Sequence, residues 1–336
     1  MRADITLAMA FYKPCHWLYP AAASCGDVHV VGVDYPEVAL ANVLPTASVP
    51  DAKAVAAMLP MRSLTGHKGT FGRVLIVAGS QGMTGAAILC ARSALRAGAG
   101  LVTVALPETI APVIQAAVPE AITLLLPDHE GRLSDPALVE LLMPAMQQAD
   151  VIAIEPGLGR DPATLEIVRR ILKTSVVELV IDADAIHALV GHDDLVASLA
   201  DRIVLTPHPG EFAALIGSTA NDVDGQRFDR VAAFIAKHKL HLVLKGRPTV
   251  IGLPDRSLIV NPTGNTGLAT GGSGDVLTGL MAGLIAGGSS LADAAVAAPF
   301  VHGSIADHWA ITFSERSLTP SDILDDLPRI LKELES

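Results

Sequence analysis

Cysteine, aromatic side chains and charge are all scarce in this 336-residue chain. The three cysteines, Cys15, Cys25 and Cys90, are odd in number and show neither a CxxC pair nor zinc-ligand spacing. That excludes a disulfide scaffold and a structural zinc site, and points to reduced thiols in a cytoplasmic protein. Aromatic residues make up 4% and charged residues 18% of the chain, the latter below the roughly 25% of an ordinary globular domain. Long hydrophobic runs are missing too. The longest uncharged stretches, 74–91 and 276–292, are interrupted by Gly, Ser, Thr or Gln, so no membrane span is expected. Asp4 falls inside what would be the apolar region of a signal peptide, which argues against one. Positive charge is in deficit: Lys and Arg total 24 against 35 Asp and Glu, a formal net charge of −11. No basic stripe exists to neutralise a run of phosphates, so nucleic acid is excluded as a partner. A small anion remains possible, held by backbone N–H groups and a few placed cations.

What the chain does have is small apolar residues. It is 50% hydrophobic and contains 29 Gly, a composition suited to close helix-on-sheet packing. The length allows one large domain or two ordinary ones at about 150 residues each. From Arg73 onward, short runs rich in Val, Ile and Leu alternate with longer amphipathic segments, the pattern of parallel strands joined by crossover helices. Strands are expected at 74–78, 101–105, 122–125, 151–154, 179–181, 203–205, 242–244, 250–253 and 258–260. Helices are expected at 85–97, 107–117, 136–147, 162–172 and 222–238, several opening with Pro or an acidic residue in the first turn. Residues 264–306 read as one Gly-rich loop feeding two buried helices, and 321–334 as a terminal helix. Residues before about Met61 fall outside this rhythm. They hold one candidate strand, 28–33, and a linker-like stretch, 35–60, which places the domain boundary at residue 60. No internal repeat is evident.

The strongest chemical signal is TGNTGLATGGSGDVLTGL, residues 263–280. Gly271, Gly272 and Gly274 let backbone N–H groups converge where a helix begins, a site that attracts anions and can hold developing phosphoryl charge. Asp275, directly after this cradle, stands where a carboxylate accepts a proton from a substrate hydroxyl. The plainer alternative is that Ser273 or Asp275 only caps the helix. AGSQGMTGAA, 78–87, lacks the GxGxxG spacing of a dinucleotide fingerprint and reads as a substrate-facing loop or a simple strand-to-helix turn. EPGLGRD, 155–161, follows another strand. TPHPGEF, 206–212, sets His208 and Glu211 on a Pro-stiffened turn without metal-ligand spacing, so His208 is either a ligand contact or simply solvated. KGRPTVI, 245–251, reads as a hairpin whose Lys245 either reaches a phosphate or is a surface charge. Asp182 and Asp184 in VIDADAIHAL suit Mg²⁺, a ligand hydroxyl or helix capping. These turns share the carboxyl edge of the expected strands, the edge at which open α/β sheets bind ligands.

Taken in order, HKGTFGRVLIVAGSQGMTGAAILCARSALRAGAGLVTVALPE, EPGLGRD, VIDADAIHAL, TPHPGE, VLKGRPTVI, NPTGNTGLATGGSGDVLTGLMAGLIAGG and AAPFVHGSIAD resemble the ADP/ATP-dependent NAD(P)H-hydrate dehydratases from about Pro60 to the end. The resemblance implies a ribokinase-like three-layer α/β/α fold with a mostly parallel central sheet, over residues 61–336. It implies repair of the hydrates NADHX and NADPHX: ADP or ATP, with Mg²⁺, phosphorylates the hydroxyl of the reduced nicotinamide ring, and phosphate then leaves. Carried over by position, Asp275 is the base on that hydroxyl, and Gly272, Ser273 and Gly274 form the anion cradle. Ala86, Gly157, Gly159, His208 and Asp275 contact the hydrated dinucleotide, while Lys245, Gly246, Arg247, Pro248, Thr249 and Gly274 hold the adenine nucleotide; the Mg²⁺ ligands are left open. A homo-oligomer, a tetramer by family analogy, is implied as well.

Residues 3–36 resemble the closing segment of the NAD(P)H-hydrate epimerase domain, so 1–60 are expected to be a remnant of that domain plus linker. Two other readings compete: a ribokinase-like kinase of a vitamin precursor, which would release a phosphorylated product, and a non-catalytic nucleotide sensor, against which Asp275 argues. No epimerase activity is expected of the chain, and interconversion of the R and S hydrates by purified protein would contradict this.

Overall fold

The structure, a computed structural model, describes residues 2–40 and 45–336. Eleven strands order the described residues: β1 (Ile5–Met9), β2 (Asp27–Val31), β3 (Arg73–Val77), β4 (Leu101–Pro107), β5 (Ile122–Leu126), β6 (Val151–Ile154), β7 (Glu178–Ile181), β8 (Ile203–Leu205), β9 (His241–Leu244), β10 (Thr249–Gly252) and β11 (Leu258–Asn261). β3 to β11 form one nine-stranded sheet in the order β11-β10-β9-β8-β7-β6-β3-β4-β5. All pairs from β3 to β9 are parallel, and β10 runs antiparallel to both β9 and β11. The expected α/β architecture is therefore observed, with the hairpin at KGRPTVI where the sequence places it.

Adjacent residues of each strand serve opposite layers, because successive side chains point to opposite faces. Val74 and Ile76 enter the core beneath the helices Thr84–Arg96, Ser273–Ala286, Leu291–Thr312 and Pro320–Leu334. Leu75 and Val77 enter the opposite core, beneath Leu138–Gln148, Pro162–Thr174, Pro209–Ile216 and Arg227–His238. Burial on both faces explains why these strands read as continuous apolar runs rather than alternating ones. β3 lies between β4 and β6: Val74 pairs with Val102 on one side and Val151 on the other. The chain leaves β3 toward β5 and returns to the opposite side of β3, so β3 and β6 flank the switch in strand order, at whose carboxyl edge open α/β sheets have their ligand crevice.

Three expectations are corrected. The single helix expected at 222–238 is two, Ala220–Gly225 and Arg227–His238. Thr219 caps an earlier start by accepting from the Asp222 N–H, and Gln226 leaves helical backbone with φ −135° and ψ 36°. Residues 107–117 open as a 3₁₀ turn, Glu108–Ile110, and become α-helical only from Ala111, with Pro112 in the first turn. The candidate strand near the N-terminus is Asp27–Val31, and it pairs in parallel with Ile5–Met9, a short strand absent from the sequence reading. Trp17 and Leu18 pack against the second core, so this unit docks on the large sheet's domain.

The linker-like stretch 35–60 is tied down in its later part, and its residues 41–44 lie outside the described residues. Ser48 bridges to Ile259 of β11, Val55 is fully buried in the first core, and the Ser289 hydroxyl donates to the Met58 carbonyl at 2.9 Å.

The helices Ser273–Ala286 and Thr84–Arg96 approach almost to backbone contact. A Cβ at Gly279 would stand 2.1 Å from the Cys90 carbonyl oxygen, and one at Gly283 would stand 2.5 Å from the Ala97 Cβ. The Ser93 hydroxyl crosses this interface to donate to the Val276 carbonyl at 2.6 Å. Substituting Gly279→Ala should lower stability by about 1–3 kcal/mol, the usual cost of overpacking a core, because the clash is with backbone. Chemical denaturation of the two proteins side by side measures this, and an unchanged midpoint would contradict it.

Candidate active site

The Gly-rich loop ends where the helix Ser273–Ala286 begins. Gly272 stands before it at φ +93°, a conformation side chains rarely adopt, and a Cβ there would also meet Leu89 Cδ1 at 2.7 Å. No side chain caps this helix end. The capping alternative for Ser273 and Asp275 thus falls away: the Ser273 hydroxyl instead lies 3.3 Å from His302 Nε2, within the protein. Burial above all holds His302 at about 4, so the ring is neutral, opposed by its contact with Ser273 and reinforced by nearby Lys245.

Asp275 is partly buried in the first turn of the same helix. Its carboxyl is pushed up to about 6, first by burial and then by the negative charge of Asp182, with Lys245 pulling the other way. Asp182, at the carboxyl end of β7, is 1% exposed. One of its oxygens accepts from Lys245 Nζ at 2.6 Å, the other from the Thr278 hydroxyl at 2.8 Å. Burial works to raise the Asp182 carboxyl, but Lys245 and these hydrogen bonds hold it below its ordinary value. Burial works to lower Lys245, yet the charge of Asp182 outweighs it and the ammonium is held above its usual range. A Cβ at Gly274 would stand 3.4 Å from Lys245 Nζ and 3.5 Å from Asp182, so the cradle, the cation and the carboxylates meet at one point. The Cys90 thiol, buried beneath them, is pushed well up by burial and by Asp275 and Asp182.

The crevice at the β3–β6 divergence is built by two linked loops. Gly79 N donates to the Pro156 carbonyl at 3.0 Å, and the Ser80 hydroxyl to the Gly157 carbonyl at 2.7 Å. Ala86, near the start of the helix Thr84–Arg96, lies against Gly157, where an added Cβ would be 3.1 Å from the Ala86 Cβ. Gly159 follows in the same loop. Beneath the turn is Glu155, 1% exposed at φ +78°. One of its oxygens accepts from the Leu158 N–H at 2.9 Å, while the other is buried without a partner. Burial drives its carboxyl up to about 8, with Asp184 and Asp182 adding to the rise and the Leu158 N–H opposing it.

His208 stands at the start of Pro209–Ile216 as its cap. Nδ1 accepts from the Gly210 and Glu211 N–H groups at 2.9 and 3.2 Å, and Nε2 lies 3.1 Å from Glu211 Oε1. The adjoining Pro207 carbonyl accepts from Lys245 N at 2.8 Å, which brings this turn beside the 245–249 turn. The 245–249 turn is organised from below by Arg227, which is 3% exposed and donates to the carbonyls of Lys245 and Pro248 at 3.1 and 2.9 Å. Gly246 leaves room for that guanidinium, since a Cβ there would meet Arg227 Nη2 at 2.0 Å. Arg247 is exposed, its guanidinium 5.9 Å from the centre of the Tyr19 ring.

Residues 74–329 match the protein family described as NAD(P)H-hydrate dehydratase. The chain belongs to that family. The Bacillus subtilis ADP-dependent (S)-NAD(P)H-hydrate dehydratase is 34% identical over 281 residues, covering 84% of this chain and 96% of the relative. The crystal structure of the ADP/ATP-dependent NAD(P)H-hydrate dehydratase from Bacillus subtilis co-crystallised with ATP and Mg²⁺ superposes with a TM-score of 0.72 at 32% identity, over 86% of this chain and 99% of that one. The bifunctional NAD(P)H-hydrate repair enzyme Nnr of Moorella thermoacetica is 40% identical along the whole chain, first sixty residues included, and this chain spans 63% of it. A ribokinase-like superfamily protein from Enterococcus faecalis, 27% identical with a TM-score of 0.75 and covering 88% of this chain, has the same ribokinase-like fold.

Within this dehydratase-family fold the positions expected from sequence form two neighbouring groups at one sheet edge. Ala86 lies against Gly157, with Gly159 later in the same loop; Gly274 lies beside Lys245 and Asp182, and the 246–249 turn continues from Lys245, joined to the His208 turn through the Pro207 carbonyl. Sequence reading passed over Thr278, Glu155 and Arg227. Thr278 is detectable in principle, being one helical turn from Asp275 on the same face, whereas a buried Arg on the helix before β9 carries no local signal. Asp182 and Asp184, open in sequence between metal, hydroxyl and cap, are engaged by Lys245 and by Arg160 respectively. Among the described residues no group of three or more His, Cys, Asp or Glu is placed to hold a metal ion.

Glu155 gives a stability prediction whose sign follows from its displaced titration. The folded protein keeps this proton up to about pH 8, while the unfolded chain loses it near 4.5, so the unfolded state binds fewer protons between those values. Stability contributed by the neutral carboxyl is therefore complete below about pH 4.5 and declines toward pH 8. Glu155→Gln, which keeps the acceptor for Leu158 and cannot ionise, should match the parent protein at pH 4.5 and unfold at a higher temperature at pH 8. Equal melting temperatures at both pH values would rule this out.

Proposed function

We propose that the chain dehydrates NADHX and NADPHX to NADH and NADPH in two steps, phosphorylation of the ring hydroxyl by ADP followed by elimination of phosphate. The observation that carries the reading is Asp275 beside Lys245 at an uncapped helix start. Family membership supports the same reaction, and the names of the Bacillus subtilis and Xanthomonas campestris relatives support ADP as donor. We assign the activity to residues 61–336, and take a homotetramer and a cytoplasmic location as part of the proposal.

Hydroxide is a poor leaving group, whereas phosphate departs readily, so a transient phosphate ester converts a slow dehydration into an easy one. Asp275, as carboxylate, accepts the hydroxyl proton while the hydroxyl oxygen attacks the terminal phosphorus of the donor and AMP leaves. Gly272, Ser273 and Gly274 present backbone N–H groups to the transferring phosphoryl, and Lys245 supplies a point charge to its oxygens. The substrate ring lies against Ala86, Gly157 and Gly159, with His208 at its rim. The carbon–oxygen bond then breaks, assisted by the ring-nitrogen lone pair, and loss of a proton from the adjacent carbon restores the double bond. Mg²⁺ enters as part of the MgADP substrate, since Mg²⁺ is commonly held by substrate phosphates with few protein ligands.

With hydrated NADH and MgADP, the purified chain should restore NADH absorbance and release equimolar phosphate; no NADH from ADP or ATP would refute the reading. Since the base must be ionised and titrates at about 6, turnover should fall about tenfold per unit below that pH. Asp275→Asn should lower kcat by about 10²–10⁴-fold while nucleotide still binds, as expected for loss of a general base. A variant with parental kcat would remove Asp275 from this role.

A further inference from the structure

We propose that Asp182 is a positioning residue for this reaction, fixing at once the cation that meets the phosphoryl group and the helical turn that carries the base. The inference rests on the proposed dehydratase reading, and the geometry that carries it is a fork. One carboxylate oxygen holds Lys245 Nζ at 2.6 Å and the other holds the Thr278 hydroxyl at 2.8 Å. Lys245 follows β9 and Thr278 lies one turn beyond Asp275, so a single residue at the end of β7 ties both to the sheet. The fork is buried, and its carboxylate stands where a Cβ at Gly274 would come within 3.5 Å. Lys and Thr each gain a fixed direction from it, which a flexible ammonium on a four-carbon stem does not otherwise have.

The fork also sets the charge that Asp275 experiences. Asp275 faces Asp182 from β7 and Lys245 from β9, with the Cys90 thiol below it on Thr84–Arg96. Behind Lys245 stand Glu211 and the neutral His302, and Asp182 in turn faces the Thr206 hydroxyl after β8 and the neutral Glu155 after β6. Asp182 and Lys245 act on Asp275 in opposite senses, so removing either should move its titration in opposite directions.

The test follows kcat/KM against pH for the full chain with hydrated NADH and MgADP, because the acid limb reports the free enzyme's essential base. Asp182→Asn, which still accepts from Thr278 but carries no charge, should move the acid limb to lower pH and reduce kcat by about 10–100-fold through misplacement of Lys245. Thr278→Val, which keeps the charge and frees the helix, should reduce kcat by about tenfold and leave the limb where it is. Lys245→Met should move the limb to higher pH, and reads the same balance should Asp182→Asn fail to fold. The ¹³C carboxyl titration of Asp275 in aspartate-labelled protein, assigned with Asp275→Asn, follows these shifts without turnover. An inactive parent with shifting Asp275 titrations would therefore sink the dehydratase reading alone. An unmoved limb and titration in both charge variants, or Thr278→Val turning over like the parent, would overturn the role given to Asp182.

Discussion

The close approach of Ser273–Ala286 to Thr84–Arg96 is the constraint on which the site depends. Two glycines, Gly279 and Gly283, remove the side chains that would hold these helices at ordinary separation. The start of one helix is then fixed against the start of the other, because packed interiors leave little room for displacement. Thr84–Arg96 begins at the crevice beside β3, so the cradle is brought to the place where the sheet changes direction. Small residues in the sequence become a short distance in the core, and that distance brings together the proposed ring pocket and the proposed phosphate cradle.

Electrostatically the site is unusual for one proposed to handle phosphates. Glu155, Asp182, Asp184 and Asp275 crowd its floor, and the whole chain is strongly acidic. The arrangement works because these carboxyls do not share one protonation state. Glu155 is neutral, Asp182 is held ionised by Lys245, Asp184 is paired with Arg160, and Asp275 titrates between them. Environments that push like groups apart are how one site obtains both a spectator charge and a working base. In the proposed reaction, attraction for an anionic ligand comes from a helix end and the Lys245 ammonium, acting locally in a protein whose net charge repels it.

How much of this is legible in the sequence depends on whether the cause is local. The strands from β3 to β9 show because burial on both faces leaves continuous Val, Ile and Leu runs, and the cradle shows because Gly272 needs a backbone conformation other residues avoid. The first strand, Ile5–Met9, leaves little trace in the sequence because its residues are largely exposed and little hydrophobic burial marks it. The break at Gln226 was missed because the Thr219 cap favours an earlier helix start that a continuous amphipathic pattern conceals. In the site, the residues that touch ligand in the proposed reaction sit in recognisable turns, whereas those that hold them reach across the fold. Arg227 beneath the 245–249 turn, and Thr278 on Asp182, are 18 and 96 positions from their partners at Lys245 and Asp182, too far for any spacing argument.

Cys90 has a practical consequence for anyone working with the protein. Its thiol is fully buried, and its neighbours Asp275 and Asp182 oppose formation of the thiolate that alkylating reagents attack. Cys15 is exposed and lies in the N-terminal unit, far along the chain from the cradle. A maleimide dye added under mild conditions will therefore spare Cys90 and report on the unit that docks through Trp17 and Leu18, at Cys15 and, to the extent that its half-buried thiol reacts, at Cys25. The docking of that unit can then be followed by fluorescence without engineering a cysteine or disturbing the reactive centre.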